Sequence, residues 1–166
     1  MELAHTDVLA VIAEVAAAFV GFSLAIGLLQ PDQPGAKLRR QAMHSVAELA
    51  MVSGAGALVV LVIKTYGLPA EMTWRIGSAF AALLWGATFY LAVKRYADVG
   101  YSVTDKNVRY AVLSSVTGVV LLSVNSIFPT AGVGPIHISG LFLALITAGY
   151  LFLLSTFIIE SDKNTR

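Results

Sequence analysis

The chain of 166 residues contains no cysteine and few charged residues. The lack of cysteine excludes disulfides, thiolate metal sites and cysteine nucleophiles. Charged residues make up only 13% of the chain, whereas a soluble domain carries about a quarter. The net charge of +1 provides no broad basic surface, so we expect no nucleic-acid partner.

Basic residues are also missing from the first seven positions, where Glu2 and Asp7 supply the only charged side chains. A cleavable signal peptide begins with a positively charged segment. We therefore expect the first apolar run to remain in the mature protein.

Hydrophobic residues make up 57% of the chain and fall into five long runs. Each run approaches the roughly 20 residues that a membrane-spanning helix needs, and the connections contain the proline and glycine residues that end helices. The sequence predicts an all-α integral membrane protein, with residues 1–166 forming a single five-helix transmembrane domain. The predicted helices cover approximately residues 8–29, 41–66, 74–95, 108–128 and 136–159.

Basic residues near the ends of these runs are distributed unevenly. If the helices alternate in direction, nine basic residues share one side: Lys37, Arg39, Arg40, Lys94, Arg95, Lys106, Arg109, Lys163 and Arg166. Only Lys64 and Arg75 lie on the other. Because cytoplasmic loops carry the excess of Lys and Arg, we predict an outside amino terminus and a cytoplasmic carboxyl terminus, in a bacterial or archaeal cytoplasmic membrane.

Aromatic residues near the ends of the runs are expected to anchor the helices at the two membrane boundaries. The predicted outer anchors are Tyr66 and Trp74, and the predicted inner anchors are Tyr96, Tyr101 and Tyr110.

Two acidic residues, Glu14 and Glu48, lie inside predicted spans. A carboxylate deep in a bilayer costs roughly 2.5 to 3.5 kcal/mol on insertion scales, so some interaction must offset it. Glu14 shares one helical face with Ala10 and Gly21. Since small residues line the contacts between membrane helices, we expect Glu14 to point toward protein.

Glu48 lies one turn after His44, and residues four apart on a helix are neighbours. We therefore expect a His44–Glu48 pair near the inner boundary, with Glu14 and Asn125 nearer the outer one. A gap on the order of 10 Å along the membrane normal would separate the two acids, short enough for water or hydroxyl groups to bridge. Glu14, Glu48, His44 and Asn125 are the predicted residues of an ion pathway.

Small residues recur at four-residue spacing in every predicted helix, as in Ser78, Ala82 and Gly86. Such spacing is typical of ordinary membrane-helix packing, and it also permits self-association through one helix. Helix four carries many hydroxyl groups, which bond either across helices or back to their own carbonyls.

The histidines do not form a convincing ligand set. His44 is predicted near the inner boundary and His137 near the outer one, so the two cannot ligate one haem iron. His5 and His137 share the outer side, where a metal site competes with the simpler expectation of two solvated histidines. Lys64 lies too near a helix end for a retinal Schiff base. We predict no cofactor, no metal site and, without a nucleophile constellation, no enzymatic activity.

These observations leave two classes of function open. The first is a cation or proton pathway, formed by a homo-oligomer because five short helices rarely enclose a pore alone, with acidic residues selecting the ion. The alternative is an accessory or scaffolding subunit of a larger membrane complex. The expected partners are the lipid bilayer, further copies or other subunits, and a small cation or proton.

Overall fold

The computed structural model of the protein describes residues 5–29, 36–98, 100, 106–128 and 132–163. The regular secondary structure of these residues is entirely helical. The helices are α1 (Thr6–Leu29), α2 (Ala36–Lys64), α3 (Ala70–Asp98), α4 (Lys106–Ile127) and α5 (Val133–Lys163). Each is long and apolar enough to cross a membrane. The prediction of an all-helical protein with five candidate spans is confirmed.

Several helices extend beyond their predicted bounds. Helix α2 begins at Ala36, so Arg39 and Arg40 lie in its first two turns and not in a loop. Helix α5 begins at Val133, three residues earlier than predicted. The reason is that an apolar run marks the thickness of the hydrocarbon layer, whereas backbone hydrogen bonds continue a helix into its polar flanks.

Consecutive helices run in opposite directions. Lys64 Nζ, at the end of α2, lies 3.4 Å from Thr6 Oγ1 at the start of α1. Arg75, near the start of α3, hydrogen-bonds to the carbonyl of Ile127 at the end of α4. We call the end of the bundle where α1 begins the amino-terminal end, and the end where α5 finishes the carboxyl-terminal end.

Helix α2 is central and α1 is peripheral. Helix α2 packs against α1, α3 and α5, whereas α1 packs mainly against α2. Close approach depends on small residues: a Cβ added at Gly54 would lie 3.2 Å from Ala16 Cβ, and a Cβ at Gly118 would collide with the ring of Trp85. The expected packing through small residues is therefore present at these crossings.

The outer surface carries many large apolar side chains, as a surface in contact with lipid would. Examples on different helices are Phe22, Leu83, Val120, Phe142 and Leu153.

The predicted aromatic anchors divide into two groups. Tyr66 and Tyr110 are exposed, being 76% and 67% accessible. Trp74 and Tyr96 are buried inside the bundle, so the prediction that they anchor the boundary is wrong. Their rings fill space between helices instead. Tyr101 lies outside the described residues.

Candidate functional site

A salt bridge joins α2 to α3 in the half of the bundle toward the carboxyl-terminal end. Arg95 Nη2 lies 2.5 Å from both Oε1 and Oε2 of Glu48. The Glu48 side chain is 16% exposed and the Arg95 side chain 34% exposed. The charge of Glu48 is therefore balanced within the protein, which offsets the cost of placing a carboxylate in an apolar helix.

The predicted His44–Glu48 pair is wrong. His44 is exposed and forms no hydrogen bond with a described residue. It lines a shallow groove between the end of α1 and the start of α2, together with Ser23, Gly27 and Arg40. The helical spacing was compatible with a pair, but Glu48 turns toward α3, where Arg95 offers a full opposite charge.

A small cavity of about 40 Å³ adjoins the salt bridge. We call it the Trp85 cavity. Its walls come from four helices and are mostly apolar, with a few polar groups. The lining residues are Ser45, Glu48, Leu49, Trp85, Thr88, Phe89, Ala92, Tyr96, Val108, Ala111, Val112, Ser115 and Leu151.

Two buried polar groups of this wall lack a hydrogen-bond partner. Trp85 is fully buried, yet its Nε1 donates to no acceptor. Ser45 is 4% exposed, and its hydroxyl faces Tyr96 without making a hydrogen bond of normal geometry. Since buried polar groups are nearly always paired, these two groups are exceptions among the described residues.

A second polar cluster lies toward the amino-terminal end and joins four helices. Asn125 Nδ2 of α4 donates to Ser78 Oγ of α3 at 2.8 Å and to the Val133 carbonyl at 2.9 Å. Ser78 Oγ lies 3.0 Å from His137 Nδ1 of α5. His137 Nε2 lies 3.3 Å from the Gly56 carbonyl of α2.

The direction of these hydrogen bonds fixes the tautomer of His137. The Gly56 carbonyl can only accept, so Nε2 carries the proton. Nδ1 must then accept from the Ser78 hydroxyl, whose oxygen accepts from Asn125. The result is a one-way chain of donors from Asn125 through Ser78 and His137 to Gly56.

Sequence reasoning missed the role of His137. The expectation of a solvated boundary histidine is wrong, because His137 is 0% exposed and its ring packs against Trp74 with centroids 5.5 Å apart. Both ring nitrogens are already used, so a metal site shared with His5 finds no free ligand atom here. The early start of α5 at Val133 places His137 a full turn into the helix and inside the bundle.

The hydroxyl groups of α4 mostly bond locally. Ser114 and Thr117 donate to the carbonyls of Ala111 and Leu113 in their own helix, at 3.1 and 2.9 Å. One contact crosses helices, since Thr147 Oγ1 of α5 lies 2.9 Å from Ser114 Oγ. Of the two expected uses of these hydroxyls, back-bonding predominates.

Glu14 lies on the outer surface of the bundle. It is exposed and makes no hydrogen bond or ion pair with a described residue. Helix α1 packs inward through Leu9, Ile12 and Ala16. The expectation that Glu14 points toward protein is therefore not met within one chain, because α1 contacts the other described helices through a different face.

Small residues surround Glu14 on this exposed side. We call this surface the Glu14 face, and its members are Ala10, Glu14, Ala17, Ala18, Gly21 and Ala25, all of them exposed. A Cβ added at Gly21 would meet no atom within 4 Å. The Glu14 face is thus flat and uncovered within one chain.

The four residues predicted for an ion pathway occupy separate places. Glu14 lies on the outer face of α1, Glu48 beside Arg95, His44 in the groove next to α1, and Asn125 in the His137 cluster. Within one chain, Glu14 and Glu48 are therefore not parts of one continuous ion pathway.

Among the described residues, no three or more histidine and acidic side chains come close enough to hold a metal ion. Comparisons with models of known protein families, with curated proteins and with solved structures find no match to this chain.

Proposed function

We propose that the protein assembles through the Glu14 face into a homo-oligomer that provides a pathway for cations or protons. One observation carries this proposal: Glu14 is an exposed, unpaired acid in a helix that is long and apolar enough to cross a membrane. In contact with lipid it would cost roughly 2.5 to 3.5 kcal/mol, so association that covers it is favoured.

The surroundings of Glu14 support association with further copies of the chain. Small residues allow helix backbones to approach closely, and in lipid this approach drives association because no hydrophobic force does. When identical faces meet around a symmetry axis, the same residue of each copy lies at the same depth. The Glu14 carboxylates then form a ring, and acidic rings select cations.

Glu48 has a different part in this proposal. Its carboxylate is balanced by Arg95, so it supplies no free negative charge to a pathway. We assign the selective charge to Glu14 and a structural role to Glu48, His137 and Asn125. In the proposed orientation the amino-terminal end of the bundle faces outward, as the distribution of basic residues favours.

The experiment compares purified wild type with Glu14→Gln in vesicles that contain a pH-sensitive or potassium-sensitive dye. Wild type should conduct, and Glu14→Gln should fall to the rate of protein-free vesicles. Glu71→Gln is the matched control, because Glu71 is exposed near the start of α3. Equal flux from wild type and Glu14→Gln would contradict the pathway.

A second pair of variants tests the assembly. Gly21→Val places a branched side chain on the Glu14 face, where one chain leaves open space, so only contacts between copies should suffer. Gly86→Val is the matched control, because a Cβ at Gly86 in α3 also meets no atom. The protein mass measured in detergent should fall to that of one chain for Gly21→Val and should stay that of the assembly for Gly86→Val.

An accessory subunit is the second candidate, and the salt bridge favours it. Since Arg95 neutralises Glu48, the charge of Glu14 is left unbalanced within the described residues, and one basic residue on a partner's helix can match it. This candidate predicts that affinity-purified wild type brings down a larger membrane protein and that Glu14→Gln loses it. A homo-oligomer without companions would exclude it.

A further inference from the structure

We propose that a groove between α1 and α2 binds an anionic phospholipid, with the lipid phosphate at Arg40 and His44. We call it the α1–α2 groove. Its described lining residues are Ser23, Leu24, Gly27, Arg40, Met43, His44 and Ala47. None of them belongs to the Glu14 face, and the readout is a bound lipid, so the proposal does not depend on the ion pathway.

The α1–α2 groove is large enough for a lipid headgroup. Its volume is about 390 Å³, compared with about 40 Å³ for the Trp85 cavity, and small-molecule pockets measure about 300 to 1,000 Å³. Met43 and Ala47 lie at its bottom, since they are only 4% and 7% exposed. Arg40 and His44 are exposed, so both basic side chains are accessible to a ligand.

The position of the groove along α2 matches the headgroup layer. Helix α2 has 29 residues and is therefore about 43 Å long, whereas the hydrocarbon layer is about 30 Å thick. When α2 is centred in the bilayer, about 6 Å at each end lies among the headgroups. Arg40 lies about 6 Å and His44 about 12 Å from the start of α2. The two side chains therefore lie where headgroups meet acyl chains.

The charges in the groove favour an anionic headgroup over a zwitterionic one. Arg40 and His44 are one helical turn apart and lie on the same face of α2. No described acidic residue lines the groove. The cation of a choline or ethanolamine headgroup would therefore find no carboxylate to pair with, whereas a phosphate without a neighbouring cation fits both basic side chains.

Both basic side chains have N–H groups that a phosphate can accept from. His44 forms no hydrogen bond with a described residue, and an imidazole carries an N–H donor in either tautomer. Arg40 already interacts within the chain. A guanidinium has five N–H donors and binds phosphate through a pair of them, so one existing contact leaves donors for the lipid.

The remainder of the groove suits an acyl chain. Leu24 and Gly27 form its α1 side, within a segment that is apolar enough to cross a membrane. A Cβ added at Gly27 would meet no atom within 4 Å, so this side leaves open space. A lipid uses both the basic and the apolar part of the groove, whereas a water-soluble phosphate uses only the basic part. We therefore assign the groove to a lipid.

Native mass spectrometry of the delipidated full chain tests this assignment. Phosphatidylglycerol, phosphatidylcholine and diacylglycerol with identical acyl chains are added separately at equal concentration. Wild type should bind one phosphatidylglycerol per chain, about tenfold more tightly than phosphatidylcholine, and should not retain diacylglycerol. Equal binding of the three lipids would show that the groove does not recognise the headgroup and would overturn the proposal.

A competition experiment separates a lipid site from a site for a water-soluble phosphate. Glycerol 3-phosphate carries a phosphate without acyl chains, and a large excess of it should leave phosphatidylglycerol bound to wild type. Complete displacement would identify a soluble phosphate as the ligand and would contradict a lipid site.

Charge variants locate the phosphate. Arg40→Gln should weaken phosphatidylglycerol binding about fivefold, and His44→Ala about two- to tenfold. Lys94→Gln is the control for Arg40, because Lys94 is exposed at the same end of the bundle. His5→Ala is the control for His44, because His5 is exposed at the other end. If Arg40→Gln and His44→Ala bind as their controls do, the phosphate is not held by these side chains.

A filling variant tests the groove itself. Gly27→Leu places a side chain in the groove without a collision inside the chain, and it should lower phosphatidylglycerol binding. Gly86→Leu is the matched control, because a Cβ at Gly86 also meets no atom within 4 Å. Circular dichroism checks that each variant keeps its helical content. Unchanged binding to a folded Gly27→Leu variant would place the lipid outside the α1–α2 groove and overturn the proposal.

Discussion

Arg95 holds both carboxylate oxygens of Glu48 with one nitrogen, Nη2, at 2.5 Å. The contact ties the second half of α3 to the first half of α2 and leaves Arg95 Nε without a partner. The acid that the sequence analysis paired with His44 in an ion pathway thus forms a salt bridge between neighbouring helices. The contribution of this salt bridge can be measured as a change in the free energy of unfolding.

Replacing one partner of this salt bridge should destabilise the protein more than replacing both. Arg95→Met leaves the Glu48 carboxylate without its counter-charge, and we expect a loss of about 2 to 3 kcal/mol, below the value for a fully buried pair because both side chains are partly exposed. The double variant Arg95→Met, Glu48→Gln should recover most of that loss. Chemical unfolding in mixed micelles measures these free energies.

The matched control is Glu71→Gln, which removes an exposed ion pair of 3.8 Å with Arg75. Its effect should stay below about 0.5 kcal/mol. Additive losses in the double variant Arg95→Met, Glu48→Gln would show that the two side chains do not depend on each other.

The His137 cluster makes a prediction about proton position. The Gly56 carbonyl requires a proton on His137 Nε2, and the Ser78 hydroxyl then donates to Nδ1. In ¹⁵N spectra of histidine-labelled protein, the buried ring should therefore show a protonated Nε2 and an unprotonated Nδ1. Variants of His5 and His44 assign the signals. A proton on Nδ1 of His137 would contradict the described hydrogen-bond chain.

Removing the amide of Asn125 should weaken the same cluster. Asn125→Ala deletes the bonds from Nδ2 to Ser78 and to the Val133 carbonyl. Hydrogen bonds between membrane helices are worth about 0.6 kcal/mol on average and at most about 1.7, so we expect a loss of about 1 to 2 kcal/mol. Thr117→Ala is the control, because Thr117 bonds only to its own helix.

The sequence predicts the number of helices better than the direction each helix faces. In a soluble helix one face is polar, whereas α1 is mostly apolar on all sides: Leu9 and Ile12 are buried, and Val11 and Phe22 are exposed. Glu14 was placed inward with its small neighbours, although Leu9 and Ile12 form the buried face. Hydropathy therefore does not show which face of α1 packs against the rest of the chain.

The sites that sequence reasoning missed share a different cause. Arg95 was treated only as a determinant of topology, because it ends the predicted third helix while Glu48 lies about 10 Å inside the predicted second helix. The long arginine side chain spans that difference in the folded bundle. Burial of His137 was not predicted either, because it depends on how α5 packs against the other helices. Its partners on three other helices come together only in the folded bundle.

Gly118 provides a test of helix packing, with Gly86 as the matched control. A Cβ at this position in α4 would collide with the six-membered ring of Trp85, which is fully buried. We expect Gly118→Ala to cost about 1 to 3 kcal/mol, as overpacking does. Gly86→Ala meets no atom within 4 Å, so it should leave stability unchanged or raise it by up to about 1 kcal/mol through helix propensity.

A second background tests whether the indole ring of Trp85 causes the loss of stability in Gly118→Ala. In a Trp85→Leu background the larger ring is absent, so the added methyl of Gly118→Ala should cost less than it does in wild type. Unfolding free energies of the four proteins complete the cycle. An undiminished cost in the Trp85→Leu background would show that Gly118 is required for a reason other than the indole ring.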